Sequence, residues 1–301
     1  MNNINKYEEK VFSQNGEDGV VLYLIEIIAK KYDLDKSYFE FGVEDGSECI
    51  TRIIREKLDW KGTILDGGNE NKKINLFQRF ITYNNIHQLI DEFKVPKNLG
   101  LLSIDTDYND AYIATKLLKK ITPSIIVAEY NVLYKLEDKT VIHDINYYWD
   151  RSVYYGASAK CLISVYKDYI CVYMNNVNMI FVHKKIMKLF PEFKKLQLEK
   201  LINKFKIPAK FKKDFYGRFY ASSKDLNLKF INITLEISEQ LPNIIDKKDI
   251  DTLINNKKNN DYLSYDNNIK LIYAKTISIL TKYNKNIVQT LTSNYIIMKT
   301  R

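Results

Sequence analysis

Apolar and polar positions along the first 185 residues alternate between a helical period and short apolar runs. Residues 17–31, EDGVVLYLIEIIAKK, carry apolar side chains at helical spacing and close on lysines, which suit a helix C-terminus. Four short runs, YFEF (38–41), GTIL (62–65), LLSID (101–105) and SIIVAEY (124–130), read as buried strands. Between them ECITRIIREKL (48–58) and DAYIATKLLKKI (110–121) read as helices, the first after a glycine turn and the second after DYND. SAKCLISVYKDY (158–169) predicts a further helix. ICVYMNNVNMIFVHK (170–184) predicts two strands around an asparagine-rich turn, a hairpin that closes one sheet edge. Strands alternating with helices predict an α/β fold, a mostly parallel sheet with helices on both faces.

Past His183 the pattern changes. KIMKLFPEFKKLQLEKLINKFKI and NIKLIYAKTISILTKY look helical and are separated by polar stretches such as INNKKNNDYLSYDNN. Charge divides the chain at the same place. Residues 184–301 hold 24 Lys and Arg against 11 Asp and Glu, whereas residues 1–183 hold 22 against 26. The expected organisation is therefore a sheet domain over 1–185 and a basic, mostly helical extension over 186–301, serving acceptor recognition or oligomerisation. A basic surface could meet a phosphorylated substrate, nucleic acid or an anionic membrane. The same lysines equally fit solvated helix faces in a chain rich in Lys, Asn, Ile and Tyr. No apolar run reaches the length that spans a bilayer, about 18 to 20 residues. No N-terminal stretch has the basic start and small-residue cleavage site of a secretion signal, so a cytoplasmic location is expected. Cys49, Cys161 and Cys171 are odd in number and lack metal-ligand spacing, so they read as buried free thiols.

Chemistry gathers at the strand ends. In an open parallel sheet, ligands bind beyond the carboxyl ends of the strands, where the strand order reverses. Here those ends read Glu40-Phe41-Gly42, Asp66-Gly67-Gly68, Asp105-Thr106-Asp107 and Glu129-Tyr130-Asn131. Gly42 and Gly46 bracket the acidic pair Glu44 and Asp45. An acidic turn suits a ligand that carries positive charge better than a phosphate. A dinucleotide fingerprint starting at Gly42 needs glycine at 44 and 47, and the chain has Glu44 and Ser47. S-adenosylmethionine, zwitterionic and ribose-bearing, fits the acids: Gly42 turns under its amino-acid end, Asp66 accepts from the ribose hydroxyls, and Asp105 faces the amine or sulfonium.

The motifs also resemble a known family. FSQNGEDGVVLYLI (12–25), FEFGVEDGSECITR (39–52), WKGTILDGG (60–68), LLSIDTDYND (101–110), PSIIVAEYN (123–131) and YYGASAKCLISVYKDYICVYMNNVNMIFVHKK (154–185) are similar, in order, to blocks of FkbM-type S-adenosylmethionine-dependent methyltransferases. The resemblance implies a Rossmann-like methyltransferase sheet with an antiparallel closing hairpin. It also implies methyl transfer to an oxygen of a sugar, glycan precursor or similar small molecule, as in surface-polysaccharide or natural-product biosynthesis. It places Gln14, Glu17 and Asp18 beside the cofactor. The chain departs from the family pattern at Glu44 (commonly Gly), Asp66 (commonly Glu) and Tyr108 (commonly Gly).

Methyl transfer requires the acceptor oxygen in line and a way out for its proton. His143, in VIHDINYYWD, is the expected base because its ordinary pKa suits neutral pH; Asp105 and Asp107 are the other catalytic candidates. Asp107, Asp110 and Glu129, with Asp105 and Asn131, could form an all-oxygen site for Mg²⁺ or another divalent cation, which would orient a hydroxyl and lower its pKa; alternatively, Asp107 or Asp110 caps the following helix while Asp105 serves the cofactor. Tyr147, Tyr148, Trp149, Tyr154 and Tyr155 form an aromatic stretch suited to stacking on a ring or to packing on the sheet edge. The expected partner is a small-molecule or carbohydrate acceptor, with a homo-oligomer compatible. Competing readings are an RNA-binding protein or RNA methyltransferase using the basic region, and a non-catalytic scaffold. The basic stretch lacks the aromatic and glycine signatures of common RNA modules, which disfavours nucleic acid.

Overall fold

The computed structural model describes residues 4–134, 136–141, 149, 154–191, 220–221, 223 and 226. The apolar runs become β1 (Ser37–Phe41), β2 (Lys61–Asp66), β4 (Leu101–Ile104) and β5 (Ile125–Glu129), with β3 (Leu76–Gln78) added at one edge. The hairpin forms as β7 (Tyr169–Met174) and β8 (Asn178–His183) at the other. Together they make one seven-stranded sheet in the order β3-β2-β1-β4-β5-β8-β7. The first five strands run parallel, and β8 joins β5 antiparallel, as does β7 to β8. This is the expected α/β class and the strand order of a Rossmann-like methyltransferase fold.

Strand alternation splits the core into two layers. Phe39, Phe41, Leu102, Ile104, Ile126 and Ala128 face a cluster with α3 (Ile86–Glu92), α4 (Asp110–Leu117) and α5 (Ala159–Val165). Tyr38, Ile64, Leu101, Ile125 and Val127 face α1 (Glu17–Ala29), α2 (Arg52–Leu58) and α6 (Lys184–Met187) on the other side. Period-2 side chains with both faces apolar explain why these strands read as continuous hydrophobic runs. The three cysteines are buried and unbridged, as expected. No helix of the described residues is long and apolar enough to cross a membrane.

Three elements differ from the sequence reading. The helix expected from 48 starts at Arg52, and the backbone N–H groups of Ile50 and Thr51 just ahead of it donate to Glu40. β3 and α3 were not anticipated, since a three-residue edge strand carries too little periodicity to register. Beyond 185, Ile186 and Phe190 are buried against the sheet. Further on, β9 (Tyr220–Ala221) pairs antiparallel with β6 (Thr140–Val141), Ser223 donates to Asp138, and Leu226 is buried in the core. The rest of the basic region lies outside the described residues.

Candidate active site

The strand order reverses between β1 and β4: β2 and β3 lie to one side, β5 to the other. Register then dictates what meets at this point. Phe41 is level with Leu65 and Ile104, and Ile104 with Ala128. One residue further on, Asp66, Gly42, Asp105 and Glu129 follow side by side across four neighbouring strand ends. Glu129 is in turn level with Asn178 on β8. The acids expected to converge do so because parallel strands of similar register all end at one rim.

Gly42 sits in that row at φ 78°, in the left-handed region, and a Cβ there would overlap the Asp105 carbonyl oxygen. Only glycine lets β1 turn away while lying this close to β4. The turn continues through Glu44 at φ 49° and Gly46 at φ 78°. Glu44 donates its backbone N–H to Asp66 Oδ2 at 2.9 Å, while Asp66 Oδ1 accepts from the N–H groups of Gly68 and Asn69 and from the Asn69 side chain. Asp66 is thereby held with its carboxylate at the rim. Asp45 caps its own turn: hydrogen bonds from Ser47 hold its carboxyl below the usual range.

A cleft of about 740 Å³ opens above this row, lined by Ser13, Gln14, Glu40, Glu44, Asp45, Asp66, Asp105, Asp107, Glu129, Trp149, Tyr155 and the 176–178 turn among others. A second lobe of about 370 Å³ shares Gly42, Asp66, Asp105, Asp107 and Trp149 with it and adds Gly67, Gly68, Phe80, Ile81 and Tyr108. Each lobe falls within the range of small-molecule sites, roughly 300 to 1,000 Å³.

Of the expected site residues, Gln14, Glu40, Gly42, Glu44, Asp45, Asp66, Asp105, Asp107 and Glu129 line the larger lobe. Gly46 does not: its α-carbon faces Ile74 and Ile64, and it serves the turn. Glu40 reaches the lobe, but its carboxylate accepts from Ile50 N–H, Thr51 N–H and the Thr51 hydroxyl and so braces the approach to α2. Glu17 and Asp18 are fully buried and are not among the residues that line the cleft. Asp18 Oδ2 accepts from the backbone N–H groups of Val11, Phe12 and Ser13 and from the Ser13 hydroxyl. Glu17 accepts from Asn15 N–H and from the side chains of Asn175 and Asn178. Their place beside the cofactor is thus indirect: they fix the leading segment that brings Ser13 and Gln14 to the cleft, and tie it to the β7–β8 turn.

The acids at the centre titrate abnormally. Burial raises Asp105 well above the carboxylate range, reinforced by Asp107, Asp110 and Glu40. Burial also raises Glu129 strongly, with Asp105, Asp107 and Asp110 adding to it. Asp107, an exposed residue whose carboxyl tucks into the cleft, rises to about 6, through desolvation first and then Asp110 and Glu44. Asp105, Asp107 and Glu129 bring carboxylate oxygens within 4.8 Å of one another, a donor set one cation could bridge. Asp110 does not join them as expected. Its Oδ1 accepts from the backbone N–H and hydroxyl of Thr106, each at 2.7 Å, and it lies buried at the start of α4. Asp105 completes the donor set with Asp107 and Glu129. Two unit charges about 5 Å apart at an effective dielectric near 20 interact by about 3 kcal/mol, so this cluster attracts a cation strongly.

His143, Tyr147 and Tyr148 lie outside the described residues. The other two histidines are structural and remote: His87 donates through Nε2 to the Lys116 carbonyl, and His183 Nδ1 accepts from Lys185 N–H while its ring meets Tyr169 edge-on. Trp149 and Tyr155, expected as stacking residues, do line the cleft, their rings 5.3 Å apart. Burial and the neighbouring Glu129 and Asp105 raise the Tyr155 hydroxyl, so it remains a donor. Tyr154 packs instead against Tyr108. Sequence reasoning missed Ser13, Ser103, Val132 and the Asn176–Asn178 turn as lining residues. Three asparagines within 175–178 were the available signal, read only as a turn.

No protein-family model and no curated protein matches the chain. Among solved structures, that of the pyocyanin biosynthetic protein PhzM is similar at 10% identity and a TM-score of 0.25, covering 55% of this chain and 56% of that one. The chain thus matches about half the length of that neighbour. A likeness at this level carries no argument about chemistry. The Rossmann-like α/β assignment rests on the strand order, the parallel register and the antiparallel last pair.

Proposed function

We propose that the chain is an S-adenosylmethionine-dependent O-methyltransferase acting on a hydroxyl of a sugar, glycan precursor or similar small polar molecule. The observation that carries this reading is the row Asp66, Gly42, Asp105 and Glu129 at the switch point, acidic on both sides of a glycine with no room for a side chain. The residues fit the cofactor chemically. Asp66, anchored by its own loop, presents a carboxylate to a diol. Asp105 and Glu129 offer carboxyl oxygens whose ionisation a positively charged ligand would favour and, at Glu129, a buried Oε2 that accepts no hydrogen bond. Ser13 and Gln14 close the cleft from the leading segment. When bound, S-adenosylmethionine supplies an electrophilic methyl group on a positively charged sulfur.

The chain's own residues then do three things. The acid row holds positive charge at the sheet edge. Tyr155 and Trp149 wall the cleft against water. Asp107, at the junction of the two lobes, receives the acceptor's hydroxyl proton, a role its elevated pKa suits because a general base works best near the operating pH. Calorimetric titration with S-adenosylmethionine and with S-adenosylhomocysteine tests the reading. Binding of both is expected, weakened about tenfold or more in Asp66→Ala through loss of a charged hydrogen-bond acceptor. Heat from neither ligand, or an unaltered affinity in Asp66→Ala, would sink it.

A second reading is favoured by one observation, the spacing of the Asp105, Asp107 and Glu129 oxygens. These residues would hold Mg²⁺ or a similar hard cation through oxygen ligands and lower the pKa of a coordinated hydroxyl. Titration of chelator-treated protein with MgCl₂ separates the two: saturable binding abolished in Glu129→Gln supports the metal, and its absence leaves Asp107 as the base alone. A nucleic-acid substrate is opposed by the acidity of the cleft, which would repel a phosphodiester backbone.

A further inference from the structure

Residues 220–226, well past the boundary expected at 185, attach to the sheet domain at three points. β9 pairs with β6, Ala221 level with Thr140 and Tyr220 with Val141. Ser223 then meets Asp138 twice: its backbone N–H donates to Oδ1 at 3.1 Å and its hydroxyl to Oδ2 at 2.8 Å. Leu226 is 4% exposed and joins the core cluster that holds α4 and α5. Ser223 and Leu226 also line a cavity of about 360 Å³ together with Thr115 of α4 and Ser164 and Val165 of α5. The segment therefore reaches from β6 to the groove between these two helices.

The strand it joins supports the cleft wall. On its other edge β6 holds residues 156–158: Val141 N–H donates to the Gly156 carbonyl, Ser158 N–H donates to the Lys139 carbonyl, and Thr140 bridges Ala157. Those residues are fixed in turn to the end of β5, where Asn131 donates its N–H to the Ala157 carbonyl and its side-chain amide to the Tyr155 carbonyl. Tyr155 lines the cleft, and so does Trp149, which stands in the chain between Val141 and Tyr154. β6 has only two residues, too few to keep their place without neighbours on both edges. One of those edges is β9, and the paired hydrogen bonds on the Asp138 carboxylate fix its position, since charge-assisted pairs of this kind set geometry as well as strength.

We propose that Asp138 and Ser223 are positioning residues. They clamp β9 against β6 and so set the wall that Trp149 and Tyr155 present to the cleft. The region past 185 is then part of the catalytic domain, to which it contributes a strand, and ligand retention depends on a contact between residues 85 apart in sequence. Retention of the cofactor rests on the methyltransferase reading of the cleft; placement of the wall does not.

The test uses the full chain and compares Asp138→Ala, Ser223→Ala, the double variant and Ser223→Thr. Two quantities are read: affinity for S-adenosylhomocysteine by calorimetry, and access of acrylamide to Trp149 by fluorescence quenching. The chain has two tryptophans, and Trp60 is buried, so the signal left in Trp149→Phe gives the Trp60 part and the difference gives Trp149. Asp138→Ala and Ser223→Ala are each expected to increase quenching of Trp149 and to weaken S-adenosylhomocysteine by about fivefold. The double variant should be no weaker than Asp138→Ala, because both changes remove one interaction. Ser223→Thr keeps the hydroxyl and the N–H and should restore both readings. A lower melting temperature with Trp149 access and affinity unchanged would make the segment a structural prop alone and overturn the proposal. Losses that add in the double variant would overturn it as well. If S-adenosylhomocysteine does not bind the natural chain, the cofactor reading fails, and quenching of Trp149 still decides whether the clamp sets the wall.

Discussion

At the scale of single residues, the site depends on Gly42 more than on any acid. β1 and β4 run in register to Phe41 and Ile104, so the next residue on β1 must turn directly against the Asp105 backbone. Gly42→Ala places a methyl group on that carbonyl oxygen and forces an L-residue to φ 78°. Left-handed strain alone costs about 1 to 2 kcal/mol, and the overlap is with backbone, which cannot rotate away. The expected loss is more than about 2 kcal/mol in urea denaturation, together with loss of S-adenosylhomocysteine binding. A variant of unchanged stability and affinity would show that the turn is not what positions Asp105. Glu40 illustrates the opposite case, an acid in the right place whose carboxylate is already occupied. Its hydrogen bonds to Ile50 and Thr51 satisfy backbone donors ahead of α2.

At the scale of elements, the leading segment is held to the domain by one carboxylate. Asp18 Oδ2 collects three successive backbone N–H groups and a hydroxyl, all from residues 11–13. Asp18→Ala leaves those donors without the acceptor, and with hydrogen bonds to a charged group worth about 1.5 to 3 kcal/mol each, not additively, a loss of about 3 kcal/mol is expected. Amide exchange of Val11 to Ser13 should accelerate first, ahead of the β-sheet amides. Exchange rising uniformly across the domain would instead place Asp18 in the global core. This element shows what was legible in the sequence and what was not. The helix at 17–29, the four central strands and the closing hairpin all follow from apolar period, because burial on one or both faces imposes it. The strand-end acids could be found because parallel strands deliver their C-termini to one side. The direction of each side chain was not legible. Glu17 and Asp18 stand in an acidic first turn whether they face a ligand or fold back on their own loop, and the three-residue β3 has no period to read. Asp110 was misplaced for the same reason. Spacing places it near the cleft, and only the hydrogen bonds from Thr106 show that it turns inward.

At the scale of the whole molecule, the domain holds a set of acids whose charge favours ligand binding and disfavours folding. Asp107 faces Asp105, Asp110, Glu44 and Glu129, and Tyr155 adds no positive charge. In the unfolded chain these carboxyls titrate near 4. Folded, Asp107 titrates at about 6, while Asp105, Asp110 and Glu129 are also shifted upward. From about pH 4 to pH 6 the folded state therefore holds more protons than the unfolded state, and stability falls as pH rises. Asp107→Asn removes one such group, so its stability relative to the natural chain should be near zero at pH 4. It should grow through pH 6 to a plateau of about 1 kcal/mol by pH 7, discounted from the full shift because Asp107 is exposed and screened by solvent. A cationic ligand reverses the sign, since it binds the ionised acids. The rise in melting temperature given by S-adenosylmethionine should therefore be larger at pH 8 than at pH 5, and this difference should shrink in Asp107→Asn. Melting curves of both chains at the two pH values, with and without ligand, provide the check. A ligand increment independent of pH would mean that the acid row does not meet the positive charge. The strand ends would then be acidic for a reason other than the cofactor.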